Sequence, residues 1–193
     1  MRPPHGKINI RRYLKRRGAC AEGVNFASKY DTLAEAWTNC ICPDWMFWML
    51  KKIDYHDDRK LRLFACWCVR RVWHLLTDER SKQAVEVAER YAARGASSEQ
   101  MAAAGEAAVA AAWEAAGASA RAAAWAAAWA AAGESADAAG ASARAAAEEA
   151  ACASARAAAG ESADAAAGDA AGDAAGEEQA NQLRAMIGNP FTE

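Results

Sequence analysis

The chain has 193 residues, enough for one domain or two small ones with a hydrophobic core. Its hydrophobic fraction of 53% overstates the material for that core, because 45 of the 80 residues from 101 to 180 are alanine. The formal net charge of −2 is unevenly divided: residues 1–100 carry 19 lysines and arginines against 12 acidic residues, and residues 101–193 carry 4 against 13. No apolar run of membrane-spanning length, signal-peptide pattern or collagen period is present, so we expect none of those protein classes.

The amino-terminal segment is strongly basic. Ile8 to Arg17 has the apolar spacing of a helix, and Gly18 can end it in the left-handed conformation. The cations of this basic arm are Arg11, Arg12, Lys15, Arg16 and Arg17, preceded by Arg2 and Lys7. We expect the arm either to bind phosphate or an acidic partner, or to stay solvated or dock on the acidic second half of the chain.

Two short helices are predicted next. Thr32 and Glu35 form a capping box, in which the hydroxyl and the carboxylate satisfy free backbone N–H groups at a helix start. Pro43 and Asp44 then introduce a helix over residues 45–53 that is apolar on every side. Such a pattern is typical of a helix at the centre of a core.

A helical hairpin is predicted between residues 57 and 95. Asp57 or Asp58 caps a first helix that runs to about Leu76, and Thr77 to Glu79 begin a second helix that stops at Gly95. The first helix has a buried face at i, i+3, i+4 spacing, with basic residues over much of the remainder. The predicted buried face is Leu61, Phe64, Ala65, Cys68, Val72 and Leu75, and the basic remainder is Arg59, Lys60, Arg62, Arg70 and Arg71.

The alanine-rich stretch that follows is repetitive and is predicted to be helical, since alanine is the best helix former. Ser97 and Gln100 form a second capping box at its start. Gly-x-Ser units, which pair a helix-stop residue with a cap residue, begin at Gly117, Gly133, Gly140 and Gly160. They predict several helices of a few turns, with one long helix or a disordered tail as the alternatives. Alanine and glycine faces let helices approach closely, so we expect packing through small residues.

We therefore predict an all-α protein in three parts. Residues 1–95 form a compact helical domain with the basic arm at its start. Residues 96–187 form the alanine-rich helical repeat region, folded back on that domain or paired with another copy of the chain, and residues 188–193 form a C-terminal tail.

The least ordinary feature of the repeat region is a set of three tryptophans and one arginine. These residues are Trp113, Arg121, Trp125 and Trp129. On one continuous helix they would share a face about 160° wide. The indoles can dock the tail onto the apolar amino-terminal helices, or the four side chains can form an aromatic and cationic pocket that binds a nucleobase or a partner's side chain.

Nothing in the sequence predicts catalysis, a metal or a cofactor. Six cysteines without an export signal are typical of reduced thiols in the cytoplasm. In a helix, Cys66 and Cys68 point about 200° apart, which favours buried small hydrophobes over zinc ligands. Tyr55 to Asp58 are predicted to be a linker and a cap rather than metal ligands, and His74 to lie near a helix end. We expect the protein not to be an enzyme.

Two stretches, "GACAEGVNFASKYDTLAEAWTNCICPDWMFWML" and "DRKLRLFACWCVRRVWHLLTDERSKQAVEVAERYA", lead into the alanine-rich tail. Together they resemble a family of immunity proteins of the immunity-five-like type, found in bacteria and frequently in phage genomes. Matching positions include residues 59–92 and the motif residues Glu35, Trp37, Cys40, Asp44, Trp45 and Trp48. We expect those six motif residues to have structural roles.

The resemblance implies an all-helical protein that neutralises a partner. We expect a phage-encoded protein of the host cytoplasm that blocks a toxin or a defence effector by stoichiometric protein binding. The alternative is a sponge that sequesters a nucleotide-type immune signal in a pocket lined by tryptophan and arginine between helices. A homo-oligomer formed through the alanine-rich helices is compatible with either, and we expect neither a membrane nor a nucleic acid as partner.

Overall fold

The computed structural model describes residues 8–115, 118–132 and 165–192, and in these ranges the chain is helical with no strand. The predicted all-α class is confirmed. The helices are α1 (Ile10–Arg16), α2 (Ala21–Ala27), α3 (Leu33–Asn39), α4 (Pro43–Lys52), α5 (Asp58–Arg71), α6 (Glu79–Ala92), α7 (Ser98–Glu114), α8 (Ala118–Ala132) and α9 (Ala165–Ile187). One turn of 3-10 helix, Trp73–Leu75, follows α5. Gly117 and the Gly-x-Ser units at Gly133, Gly140 and Gly160 lie outside the described residues.

One of the two predicted capping boxes is present, at Ser97, and the other, at Thr32, is formed only in part. Ser97 Oγ accepts from the Gln100 backbone N–H at 3.3 Å, and the Gln100 side chain accepts from the Ser97 N–H at 2.9 Å. Thr32 Oγ1 accepts from the Glu35 N–H at 3.1 Å, but the Glu35 carboxylate accepts from Asp31, one residue before the cap, at 3.0 Å. Each helix start thereby gains side-chain acceptors for backbone groups that have no partner within the helix.

The predicted helix ends are correct for α1 and wrong for α5. Gly18 adopts the left-handed conformation after α1, with φ of 78°. The helix α5 ends at Arg71 instead of continuing to Leu76, and its start is capped by Asp57. After α6 the left-handed residue is Arg94, with φ of 62°, and not the neighbouring glycine.

The five helices α5 to α9 form most of the packing around one core. Each of α5, α6 and α7 packs against the next helix, and α8 returns to pack on both α5 and α6. The helix α9 spans α4 and α5 and so joins the short amino-terminal helices to the longer ones. One hydrophobic cluster runs from Ile10 in α1 to Leu183 in α9, including the alanine-rich helices.

Alanine methyl groups do the packing in α8. The fully or almost fully buried residues of this helix are Ala123, Ala124, Ala126, Ala127, Ala128, Ala130 and Ala131. Each methyl group has little area, so close approach of the helix axes and many weak dispersion contacts must hold this helix in place. The predicted packing through small residues is thus the observed arrangement in the described part of the region.

Arg62 departs from the predicted pattern, which placed it on the exposed basic side of α5. It is only 3% exposed, and its guanidinium donates hydrogen bonds to the carbonyl oxygens of Ala131 at 2.9 Å and Ala130 at 3.4 Å. The same group lies 5.1 Å from the ring centroid of Tyr91. A buried cation at the C-terminal end of α8 satisfies carbonyl groups that the helix leaves free and complements its dipole.

Hydrogen bonds join the C-terminal residues to α3 and to Cys40, which follows it. Asn189 Nδ2 donates to the Ala34 carbonyl at 2.9 Å, and Arg184 donates to the carbonyl of Trp37 at 3.3 Å and to that of Cys40.

Across the described ranges no helix is long and apolar enough to cross a membrane.

Candidate functional site

Three tryptophans meet on the α7–α8 hairpin, and we call Trp113, Trp125 and Trp129 the tryptophan cluster. The Trp113 and Trp125 rings lie edge to face, with centroids 5.3 Å apart and planes at 82°. The Trp125 and Trp129 rings are 5.8 Å apart and tilted by 30°. Trp113 is 72% exposed and Trp129 36% exposed, while Trp125 is half-buried against the core. The cluster is therefore an ordered aromatic surface that faces solvent.

The rings come together by a route different from the one predicted. A single continuous helix was assumed for their shared face, but α7 ends at Glu114 and the backbone of Ala115 is extended, with φ of −62° and ψ of 127°. Trp113 therefore stands in the last turn of α7, while Trp125 and Trp129 lie one turn apart on α8. The contact between the first two rings crosses a helix hairpin.

Arg121 lies in the same hairpin but does not complete an aromatic and cationic pocket. Its Nη2 donates to the Ala115 carbonyl oxygen at 3.3 Å, at the end of α7. Among the described residues, the arginines that stack on aromatic rings are on α1 and α5. The alternative prediction is that the indoles dock the tail on the core. Only Trp125 of the three packs against the core, and buried alanines supply most of the contact between α8 and the core.

The basic arm presents its charges outward. Ile10 and Leu14 of α1 are buried, so the helix docks on the core by its apolar side. The outward positions are occupied by Arg11, Arg12, Lys15 and Arg16, which are exposed, and by the half-buried Arg17. The Arg17 guanidinium lies 3.7 Å from the ring centroid of Tyr13. Arg2 and Lys7 lie outside the described residues.

Five of the six motif residues line one cavity, which we call the α1–α4 cleft. Its volume is about 500 Å³. The motif residues in its walls are Trp37, Cys40, Asp44, Trp45 and Trp48. Glu35 instead caps α3. The remaining walls are mostly apolar and come from α1, α2 and α4, including Leu14, Phe26 and Phe47.

Sequence reasoning missed this cleft because its walls come from four helices. Cys20 and Gly23 of the second helix line it, and neither had been singled out. The one local signal is a glycine inside a helix, since such a residue is often kept where another group approaches the backbone closely. A Cβ added at Gly23 would lie 3.7 Å from two ring atoms of Trp45.

Burial keeps the thiols of Cys40, Cys42, Cys66 and Cys68 protonated at neutral pH. Burial raises the pKa of Cys66 to about 12 and that of Cys40 to about 11, and it raises the pKa of Cys68 well above its usual value. Burial also raises the pKa of Cys42. A thiol must lose its proton to act as a nucleophile or metal ligand, so these four groups behave as small hydrophobes.

No metal centre is formed by the described residues. They contain no group of three histidine, cysteine, aspartate or glutamate side chains that could hold an ion. Asp57 of the predicted linker accepts from the Lys60 N–H at 3.1 Å and caps α5. His56 and His74 are exposed, the latter within the 3-10 turn, and His5 lies outside the described residues.

Comparisons of the chain with protein-family models, with curated proteins and with solved structures find no match.

Proposed function

We propose that the chain is a non-catalytic binding protein that docks on a partner protein through the tryptophan cluster and neutralises it by stoichiometric binding. The observation that carries the proposal is the outward-facing indole of Trp113, exposed over most of its surface while it is held edge-on against Trp125. Isolated exposed aliphatic residues are common on proteins, but three contacting indoles are a concentrated apolar surface.

The cluster has the composition of a binding hot spot. Tryptophan is enriched among the residues that dominate protein–protein affinity, because it buries a large area and loses little conformational entropy. Trp125 is half-buried and supports both exposed rings, so the cluster is organised before a partner arrives. Preorganised anchors of this kind raise affinity by lowering the entropic penalty of binding.

A polar rim borders the cluster. Glu114, next to Trp113 in the chain, accepts from Arg80 at 2.5 Å, and Arg80 also pairs with Asp78 at 2.7 Å. Arg121 is exposed on the other helix of the hairpin. An apolar centre with charged groups at its edge is the usual anatomy of a protein interface.

The shape of the cluster favours a protein over a nucleotide as partner. Small-molecule sites are concave and bury most of the ligand, whereas Trp113 projects into solvent. A nucleotide site would also need a cation beside the rings, and the Arg121 guanidinium binds a backbone carbonyl instead. The resemblance to immunity proteins supplies the biological form of the proposal, in which the partner is a toxin or defence effector of the cytoplasm.

The test begins with affinity purification of the tagged full chain from host cells. Any polypeptide retained is then produced separately, and its stoichiometry and Kd with the chain are measured by calorimetry. We expect a 1:1 complex that Trp113→Ala weakens by about 30- to 1,000-fold, the range for loss of an aromatic hot spot. Trp48→Ala, which removes an indole from α4, is the matched control and is expected to leave the Kd unchanged.

Three outcomes would overturn the proposal. Trp113→Ala could bind the partner as tightly as the original chain. Native mass spectrometry could find a bound small molecule in place of a partner protein. Absorbance of the released molecule near 260 nm would then favour the sequestration of a nucleotide-type signal. Sedimentation could show that the cluster mediates self-association that Trp113→Ala abolishes. Circular dichroism of each variant checks that the fold is kept, as expected for the exposed side chain of Trp113.

A further inference from the structure

The α1–α4 cleft is a concave feature that the proposed docking surface does not use. Its walls are five aromatic side chains together with aliphatic and sulfur-containing residues. The aromatic wall residues are Phe26, Trp37, Trp45, Phe47 and Trp48. We propose that this cleft binds a neutral, planar aromatic small molecule of two or three rings.

The size of the cleft fits one such molecule. Its volume of about 500 Å³ lies within the range of roughly 300–1,000 Å³ typical of sites for small ligands. A two- or three-ring compound is small enough to enter a cavity of this size. The cleft also opens to solvent at one side, where the exposed residues Cys20, Asp44 and Lys51 lie.

The aromatic walls favour a flat ligand. The ring centroids of Phe26 and Trp45 are 5.4 Å apart, and the two ring planes are tilted by 41°. Both side chains are only half-buried. Trp37 and Phe47 lie deeper and are buried. A planar ring that lies against these aromatic walls gains offset-stacked and edge-to-face contacts in addition to the burial of its surface.

The charges of the cleft favour a neutral ligand. Asp44 and Lys51 are seven residues apart on α4, so they lie on one side of the helix, about 10 Å apart along its axis, with Trp48 between them. Asp44 and Lys51 are the charged residues among those that line the cleft. The floor between them is apolar, and burying a charge there without a partner is unfavourable. Polar substituents of the ligand would point toward the opening.

Gly23 keeps the cleft open. Gly23 is the third residue of α2, where its backbone N–H donates to Cys20 Sγ at 3.3 Å, although alanine is the better helix former. A Cβ at this position would lie 3.3 Å from the sulfur of Cys20 and 3.7 Å from the indole of Trp45. A longer side chain would therefore enter the space beside the Trp45 ring. A substitution at Gly23 can thus test whether a ligand occupies that space.

The test uses two fluorescent probes with the same ring skeleton. N-phenyl-1-naphthylamine is neutral, and 1-anilinonaphthalene-8-sulfonate carries one negative charge. We expect the neutral probe to bind the full chain at one site with a Kd of about 1–10 µM, and the sulfonate to bind at least about tenfold more weakly. Equal affinity for both probes, or binding without saturation, would overturn the proposal.

Two variants locate the binding. Gly23→Leu fills the cleft and is expected to weaken the neutral probe at least about tenfold, since the ligand and the leucine would occupy the same space. Glu86→Leu, which adds a leucine on the exposed face of α6, is the matched control outside the cleft and is expected to leave the affinity for the neutral probe unchanged. Equal binding by Gly23→Leu and the original chain, with the fold intact, would place the probe elsewhere and overturn the proposal.

A chemical block keeps the proposal testable if Gly23→Leu does not fold. N-ethylmaleimide reacts with exposed thiols, and Cys20 is exposed at the opening of the cleft. Labelling at Cys20, verified by peptide mass, is expected to abolish binding of the neutral probe, whereas Cys20→Ser treated in the same way keeps it. Unchanged binding by the labelled chain would overturn the proposal. The proposed function is untouched by this result, because its test depends on Trp113.

Discussion

The indole nitrogen of Trp37 donates a hydrogen bond to the carbonyl oxygen of Gly188 at 2.9 Å, joining residues 151 positions apart in the chain. Gly188 has a left-handed backbone, with φ of 81°, which turns the chain after α9. Phe191 then packs edge-on against the same indole, with ring centroids 6.0 Å apart. The last residues of the chain thus form part of the core of the first helices.

Trp37→Phe tests this connection between the two ends. The substitution keeps an aromatic ring but leaves the Gly188 carbonyl without its donor, so we expect it to lower the free energy of unfolding by about 1–2 kcal/mol. Urea denaturation measures the change. Trp45→Phe is the control, because its ring nitrogen makes no hydrogen bond within the described residues, and it is expected to have a smaller effect. Equal effects of the two variants would mean that the hydrogen bond adds nothing.

Arg62 and Arg59 offer a matched comparison of two helix-capping arginines. Arg62 is buried and donates to the end of α8, whereas Arg59 is exposed and donates from Nε to the Ala92 carbonyl at the end of α6 at 2.9 Å. Arg62→Met leaves buried carbonyls without donors and is expected to lower the free energy of unfolding by about 2–4 kcal/mol. For Arg59→Met we expect no more than about 1 kcal/mol, since water can replace the lost donor.

Thermal and urea unfolding of the two methionine variants check this ranking. A cost for Arg59→Met equal to that of Arg62→Met would show that burial does not set the contribution of these hydrogen bonds.

The buried thiol of Cys66 makes stability depend on alkaline pH. Burial raises its pKa from 9.0 to about 12 in the folded chain, while in the unfolded chain it titrates near the ordinary value. Between these two values only the unfolded state releases the proton, so rising pH lowers the free energy of unfolding by about 1.4 kcal/mol per pH unit. Below pH 9.0 the thiol keeps its proton in both states, and the contribution of buried Cys66 to stability is fully present.

Urea denaturation of the original chain and Cys66→Ala from pH 7 to about pH 10.5, with reductant, checks this dependence. Other titrating groups are shared, so the difference between the two curves isolates one proton. We expect a constant offset at neutral pH that shrinks above about pH 9. A difference that stays constant across the whole range would contradict the prediction.

Gly176 lies where α9 approaches the start of α4. A Cβ added there would be 3.6 Å from Cδ of Pro43 and 3.9 Å from the carbonyl oxygen of Ile41, which are ordinary contact distances. Gly176→Ala is therefore expected to stabilise the protein by about 0.5–1 kcal/mol through helix propensity. Gly176→Leu has no room for its longer side chain and is expected to destabilise it. The midpoint of thermal unfolding separates the two, and an increase for both would contradict the observed approach of the helices.

The sequence predicted most of the local structure because its signals are local. Thr32 with Glu35, Ser97 with Gln100, and Gly18 each act within a few residues, so caps and stops could be placed without knowing the fold. The helical hairpin of α5 and α6 and the helical state of the alanine-rich residues 98–114, 118–132 and 165–187 follow from spacing and propensity in the same way.

Features that depend on contacts between distant segments were not predictable. Arg62 has the spacing of a surface residue. It is buried only because α8 packs beside it, where its guanidinium donates to the carbonyl groups at the end of α8. The shared face of the tryptophans was derived for a continuous helix, although the unit at Gly117 already predicted an interruption near this position. The α1–α4 cleft depends on how four short helices pack, and no periodicity encodes that arrangement.

The buried guanidinium of Arg62 also bears on the register of α8. An alanine face presents nearly the same methyl groups after the helix slides along its axis by one turn, about 5.4 Å. Apart from the half-buried Trp125, the methyl-lined seam gives little reason to prefer one axial setting over the next. Hydrogen bonds from Arg62 to the last carbonyls of the helix can form at a single setting only. Together with the contact between Trp113 and Trp125, this cation makes one alignment of α8 more favourable than its neighbours.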